Sequence, residues 1–119
     1  MQSDPVLDAS ALARLRKLGG EKLLSEMIAL FLQHAPARLA AARAGNSGGD
    51  ARAVERAAHS LTSTAANLGA VRVQRLARRV EELAGGGDLA SAAQLLPDLE
   101  EELARAAALL RAERPEPAP

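Results

Sequence analysis

The sequence predicts an all-α protein, an antiparallel up-down four-helix bundle with a short additional N-terminal helix. Three observations lead there. Apolar residues recur at three- and four-residue steps through several long segments, and no stretch alternates with the two-residue period of a strand. Apolar residues make up 48% of the chain but only Phe31 is aromatic, so the core must be built from Leu, Val, Ile and Ala, and Ala and Leu are the strongest helix formers. Glycine-rich breaks separate the periodic segments, and short connections between long helices force antiparallel neighbours. A chain of 119 residues fits one domain.

The elements follow in order. Residues 1–7 are polar, contain Pro5 and are expected to form a flexible lead-in; the domain itself should span residues 8–113. Asp8 is placed to cap a short helix ending near Leu18, with Leu12 and Leu15 on one side and Gly19-Gly20 as the stop. A second helix is expected over residues 21–44, its apolar face marked by Leu24, Met27 or Ile28, Phe31, Ala35 and Leu39. Pro36 removes a backbone donor inside it and should kink it near residues 32–34. The run from Gly45 to Gly49 is a break, and Asp50 caps a third helix whose seam is Val54, Ala58, Leu61, Ala65 and Leu68. A fourth helix, residues 70–83, should turn Val73, Leu76, Val80 and Leu83 inward. Gly85-Gly86-Gly87 breaks the chain, and Asp88 caps a last helix burying Ala92, Leu96, Leu99, Leu103, Ala106 and Leu110, divided or bent at Pro97. Residues 114–119, alternating with proline, should be a disordered tail.

Composition excludes several classes of function. Fifteen basic residues balance fifteen acidic ones, which leaves no basic excess for nucleic acid and no polybasic run for a membrane surface. No apolar stretch approaches bilayer length, and the first residues carry no apolar signal core. Without cysteine there is neither a disulfide framework nor thiolate chemistry, which suits the cytoplasm, where the protein is expected. The glycine runs lack the Lys-Ser/Thr of a phosphate-binding loop. There are two histidines. His34 has no acidic neighbour, and Glu55 and His59 are four apart rather than in a Glu-x-x-His pair, so no metal site is expected. Glu81-Glu82 and Glu100-Glu101-Glu102 fall at outward positions and should be solvated helix faces.

His59 stands apart. It follows Ala58 of the inner seam and so lies about 100° around the helix from it, at the solvent edge. On the same side lie Glu55, Arg56, Thr62 and Ser63, with Arg52 and Ala66 further along. A neutral imidazole is a competent nucleophile, arginine and hydroxyl donors can hold phosphoryl oxygens, and small residues admit a partner's backbone.

The run Ala58-His59-Ser60-Leu61-Thr62-Ser63-Thr64-Ala65-Ala66-Asn67-Leu68-Gly69-Ala70 resembles the signature A-H-x-L-K-G-S-x-x-N-L-G-A of histidine-containing phosphotransfer domains. Leu18-Gly19-Gly20 with Leu24, Leu30-Phe31-Leu32, Ala35-Pro36-x-Arg38-Leu39, and Leu76-Ala77 with Glu81-Glu82-Leu83 extend the likeness to residues 6–110. The resemblance implies a four-helix bundle with a small extra helix, and a phosphoryl carrier rather than an enzyme with its own turnover. His59 would take a phosphoryl group from the aspartate of a receiver domain and pass it to another receiver aspartate. The chain would carry no cofactor, Mg²⁺ would sit in the receiver, and the bundle would be a monomer. Partners would be receiver domains of response regulators or hybrid kinases.

Two departures from that signature shape the site. The family's lysine is Thr62 here and its glycine is Ser63. Candidates to hold the phosphoryl group are therefore Thr62, Ser63, Arg56 one turn before His59, Arg79 on the returning helix about ten residues beyond the turn near Gly69, and Arg75 one turn from Arg79. Partner docking is expected at Arg52, Glu55, Ala66 and the exposed parts of Leu12 and Leu15. The alternative is a degenerate domain that docks a receiver or another protein without carrying phosphate.

Overall fold

A computed structural model describes residues 4–114. Their regular structure is four helices, α1 (Ala9–Ser47), α2 (Ala51–Asn67), α3 (Val71–Gly85) and α4 (Leu89–Glu113). Each packs on the next in sequence, and α4 closes the ring against α1. Three-residue connections at 48–50, 68–70 and 86–88 enforce the up-down course.

α1 is two helices in series. Gly20 leaves the helical region with φ +71° and ψ −168°, a conformation open to glycine because it lacks Cβ. Residues 9–19 are thus the expected short N-terminal helix, laid against the turn between α2 and α3. The Asp8 carboxylate accepts from the Ser10 amide at 3.0 Å and hydroxyl at 2.7 Å, and the Asp8 amide donates to the Gly69 carbonyl at 2.8 Å. Gly69 permits this approach. Its φ is +67°, and a Cβ there would lie 2.7 Å from that of Ala11. Residues 1–3 of the expected lead-in lie outside the described residues, and residues 4–7 are anchored more than their composition suggested. Arg72 Nε donates to the Asp4 carbonyl at 2.8 Å, Arg75 pairs with the Asp4 carboxylate at 2.9 Å, and Val6 and Leu7 pack on the core. Residues 115–119 of the expected tail lie outside the described residues; Arg114 Nε donates to Ser25 Oγ at 3.4 Å.

Several boundaries move. α1 continues through Gly45, Asn46 and Ser47, which the glycine content had assigned to a break; Asn46 donates to the Leu89 carbonyl at 3.0 Å. Pro36 lies within α1 and Pro97 within α4 without any departure from helical dihedrals around them, so α4 is undivided. Both prolines are exposed, where the ring meets solvent rather than a packed neighbour. Asp50 and Asp88 cap α2 and α4 as expected, accepting from the amides of Ala53 at 3.1 Å and Ser91 at 3.0 Å.

Alanine is the commonest residue of the core. Phe31, Leu24, Ile28, Leu61, Leu68, Leu99 and Leu110 supply its bulk, and Ala57, Ala58, Ala65, Ala77 and Ala84 let α2 and α3 come together as the most closely packed pair. That closeness revises α3. Its buried seam is Val73, Ala77, Val80 and Ala84, while Leu76 and Leu83 are half-buried at the flank. Choosing leucines over alanines for the seam rotates the helix by roughly 50°, half a residue step. The site depends on this rotation.

Candidate functional site

α2 is held by its buried Val54–Ala58–Leu61–Ala65 stripe, which turns His59 outward. Its side chain is 68% exposed, and Nδ1 lies 2.7 Å from Glu81 Oε2 on α3. A carboxylate only accepts, so Nδ1 carries a proton and donates, and in the neutral imidazole the lone pair is on Nε2. The imidazole is thus held in one tautomer and one orientation, with Nε2 left without a hydrogen-bond partner among the described residues on an exposed ring. Glu81 is 25% exposed, so the expectation of a solvated acidic face does not hold for it. Nor does it hold for Glu102, whose side chain is 12% exposed between Arg72 and Arg105. For Glu81 the half-residue rotation of α3 accounts for the difference; Glu102 lies beside an α4 seam placed as expected and is covered by Arg72 and Arg105.

An open groove of about 700 Å³ runs between α2 and α3 past His59. α2 contributes Glu55, Thr62, Ser63 and Ala66 to it, and α3 contributes Gln74, Arg78, Glu81, Glu82 and Gly85. Gly85 makes room for the Glu55 carboxylate, which sits 2.8 Å from where a Cβ would stand.

The expected residues divide accordingly. Ser63, Glu55 and Ala66 share the groove with His59. Thr62 reaches it too but is only 7% exposed, and its hydroxyl donates to the Ala58 carbonyl at 2.8 Å, which commits its donor inward. Arg56 and Arg52 are exposed and do not line the groove; helical geometry puts Arg56 on the side of His59 away from α3. Arg79 and Arg75 are turned from it as well, Arg79 pairing with Glu82 at 3.8 Å and Arg75 with Asp4. Arg79 lies within two residues of Glu81, near the level of His59, and Arg75 lies further along towards the α2–α3 turn; the seam at Ala77 and Ala84 turns both from the groove. Leu12 is buried under the short arm and offers no docking surface, and Leu15 is half-buried against the core.

Sequence reasoning missed Glu81, Arg78 and Gln74. The signal for them was the step of three and four residues that joins 74, 78, 81 and 82, legible only once the α3 seam is known.

Among the described residues no helix is long and apolar enough to cross a membrane. Comparison with known proteins adds the following. No curated protein sequence matches the chain. The crystal structure of histidine-containing phosphotransfer protein B (HptB) from Pseudomonas aeruginosa PAO1 is similar with a TM-score of 0.87 and 31% identity, over 94% of this chain and 96% of that one. The family model of the Hpt domain matches residues 26–109. An exposed histidine on a four-helix bundle, the likeness to HptB and this match over most of the chain agree, and the protein belongs to the Hpt domain family, whose members are histidine phosphocarriers of phosphorelays.

Proposed function

We propose that His59 is the phosphoacceptor and that the protein is an intermediate of a two-component phosphorelay, taking a phosphoryl group from one receiver aspartate and delivering it to another. The observation that carries this is the 2.7 Å contact between Nδ1 and Glu81, which leaves Nε2 bare on an exposed ring. In the forward step the Nε2 lone pair attacks phosphorus. The N–P bond forms as the aspartyl O–P bond breaks, and the bonding electrons return to the receiver's carboxylate. The ring, now substituted on Nε2 and still protonated on Nδ1, becomes cationic, and the Glu81 carboxylate lies against that charge. Return to a second aspartate is the reverse with a different acceptor. Mg²⁺ bound in the receiver supplies charge neutralisation at the transferring group; this chain supplies an oriented nucleophile and needs no cofactor of its own. The setting is the cytoplasm, and the bundle acts as a monomer.

Incubation with a receiver domain carrying labelled aspartyl phosphate tests this. The label is expected on the native protein, acid-labile and base-stable, and absent from His59→Gln. Docking of receivers without any transfer of label would replace the carrier by a binding module.

A further inference from the structure

The groove beside His59 is acidic: Glu55, Glu81 and Glu82 face it against one cation, Arg78. A phosphoryl group on Nε2 brings a charge of roughly −1.5 to −2 into that setting. Like charges oppose one another, so a positive group within reach of the phosphoryl oxygens stabilises the phosphorylated state.

α3 carries four arginines, and three are engaged elsewhere. Arg72 bonds the Asp4 carbonyl and lies 3.6 Å from Glu102, Arg75 pairs with Asp4, and Arg79 pairs with Glu82. Arg78 is exposed and makes no ion pair or side-chain hydrogen bond among the described residues. The antiparallel register places it. Glu55 meets Gly85 and His59 meets Glu81, so the next step along the pair sets Thr62 opposite Arg78, both lining the groove. Thr62 offers no charge there and its hydroxyl is spent on Ala58. The cation at this level of the groove therefore comes from α3.

We propose that Arg78 is the phosphoryl-binding residue of the site, its guanidinium donating to the phosphoryl oxygens on His59 during transfer and in the phosphorylated protein. This rests on the assignment of His59 as phosphoacceptor. A guanidinium presents paired N–H donors that match phosphoryl oxygens, and such charge-assisted bonds exceed neutral ones about twofold in strength. One turn from Glu81, Arg78 approaches the phosphoryl group from the α3 side while Glu81 holds the ring.

The test compares native protein, Arg78→Gln, Arg78→Lys, Arg79→Gln and Arg43→Gln, the last on the far α1–α4 face. Label is transferred from one phosphorylated receiver. Transfer rate, lifetime of the isolated phosphohistidine, its ³¹P shift, and affinity for the unphosphorylated receiver are measured for each. Arg78→Gln should slow transfer by about tenfold or more and shift the ³¹P resonance. Arg78→Lys should recover most of the rate, and receiver affinity should change less than about threefold. Arg43→Gln should behave as native. If native protein takes label and Arg78→Gln takes it equally fast with an unmoved ³¹P shift, the role of Arg78 is overturned while His59 stands. Equal losses in Arg78→Gln and Arg79→Gln, or a loss in affinity as large as the loss in rate, overturn it too. If native protein takes no label, the assignment of His59 falls and that of Arg78 with it.

Discussion

At the scale of single residues, the site is an imidazole with one nitrogen tied and one free. Glu81 acts through the ring rather than on the phosphoryl group, and a positioning role has a distinct signature. Glu81→Ala should slow transfer by about tenfold, whereas Glu81→Gln, which keeps an acceptor for Nδ1–H, should lose less. ¹⁵N spectra of the imidazole should show the Nδ1–H tautomer in native protein and a mixture in Glu81→Ala; an unchanged tautomer would refute the role. Thr62 separates in the same way from the residues that face the phosphoryl group. Its hydroxyl bonds the Ala58 carbonyl, so Thr62→Val should leave the transfer rate within about twofold and cost no more than about 1 kcal/mol of stability. A large fall in rate with unchanged stability would return Thr62 to the group of phosphoryl ligands. His59 was legible in the sequence because a seam of Val54, Ala58 and Leu61 fixes the rotation of α2. Arg78 was not, because α3 offers two apolar stripes, one through leucines and one through alanines.

At the scale of elements, that ambiguity is resolved by packing density. Two helices in close contact want small residues between them, so alanine rather than leucine occupies the α3 seam against α2. Ala77→Leu should therefore destabilise by about 1–3 kcal/mol through overpacking, more than Leu76→Ala, whose side chain is only half-buried; a seam through the leucines would reverse that order. Denaturant titration of the two variants decides between the stripes. Helix starts give a pH dependence. Asp8 is held below the ordinary carboxylate value first by the Ser10 hydroxyl and then by the Ser10 amide, and Asp88 first by the Ser91 amide. A lowered value in the folded state means that their contribution is complete above about pH 4 and fades as pH falls through the lowered values. Unfolding curves of the native protein should shift in that acid window, and Asp8→Asn with Asp88→Asn should flatten the shift. The turn at Gly69 is the third element-scale device. Gly69→Ala combines φ +67° with a Cβ 2.7 Å from Ala11, so it should cost more than about 1 kcal/mol and loosen the short arm from the α2–α3 turn. Faster amide exchange at Asp8 would report that loosening.

At the scale of the whole molecule, stability comes from one apolar cluster shared by all four helices. The ion pairs are mostly exposed, such as Arg43 with Glu100 and Arg105 with Glu101, and each contributes little. Leu61, fully buried at the centre of α2, should cost about 2–5 kcal/mol as Leu61→Ala and unfold the bundle as one unit, read by coincident transitions in helicity and in near-site NMR signals. His59 would be lost with the rest, since its placement depends on the same stripe.

The sequence by itself determined the helical class, the caps at Asp8, Asp50 and Asp88, the antiparallel order and the outward position of His59. These are local matters of period, capping and short connections, and each is decided within a few residues. The rotation of α3, the course of α1 through Gly45–Ser47, the anchoring of residues 4–7 and the meeting of His59 with Glu81 were decided only by tertiary structure. They depend on how closely one helix lets another approach, and that distance is set by both partners at once.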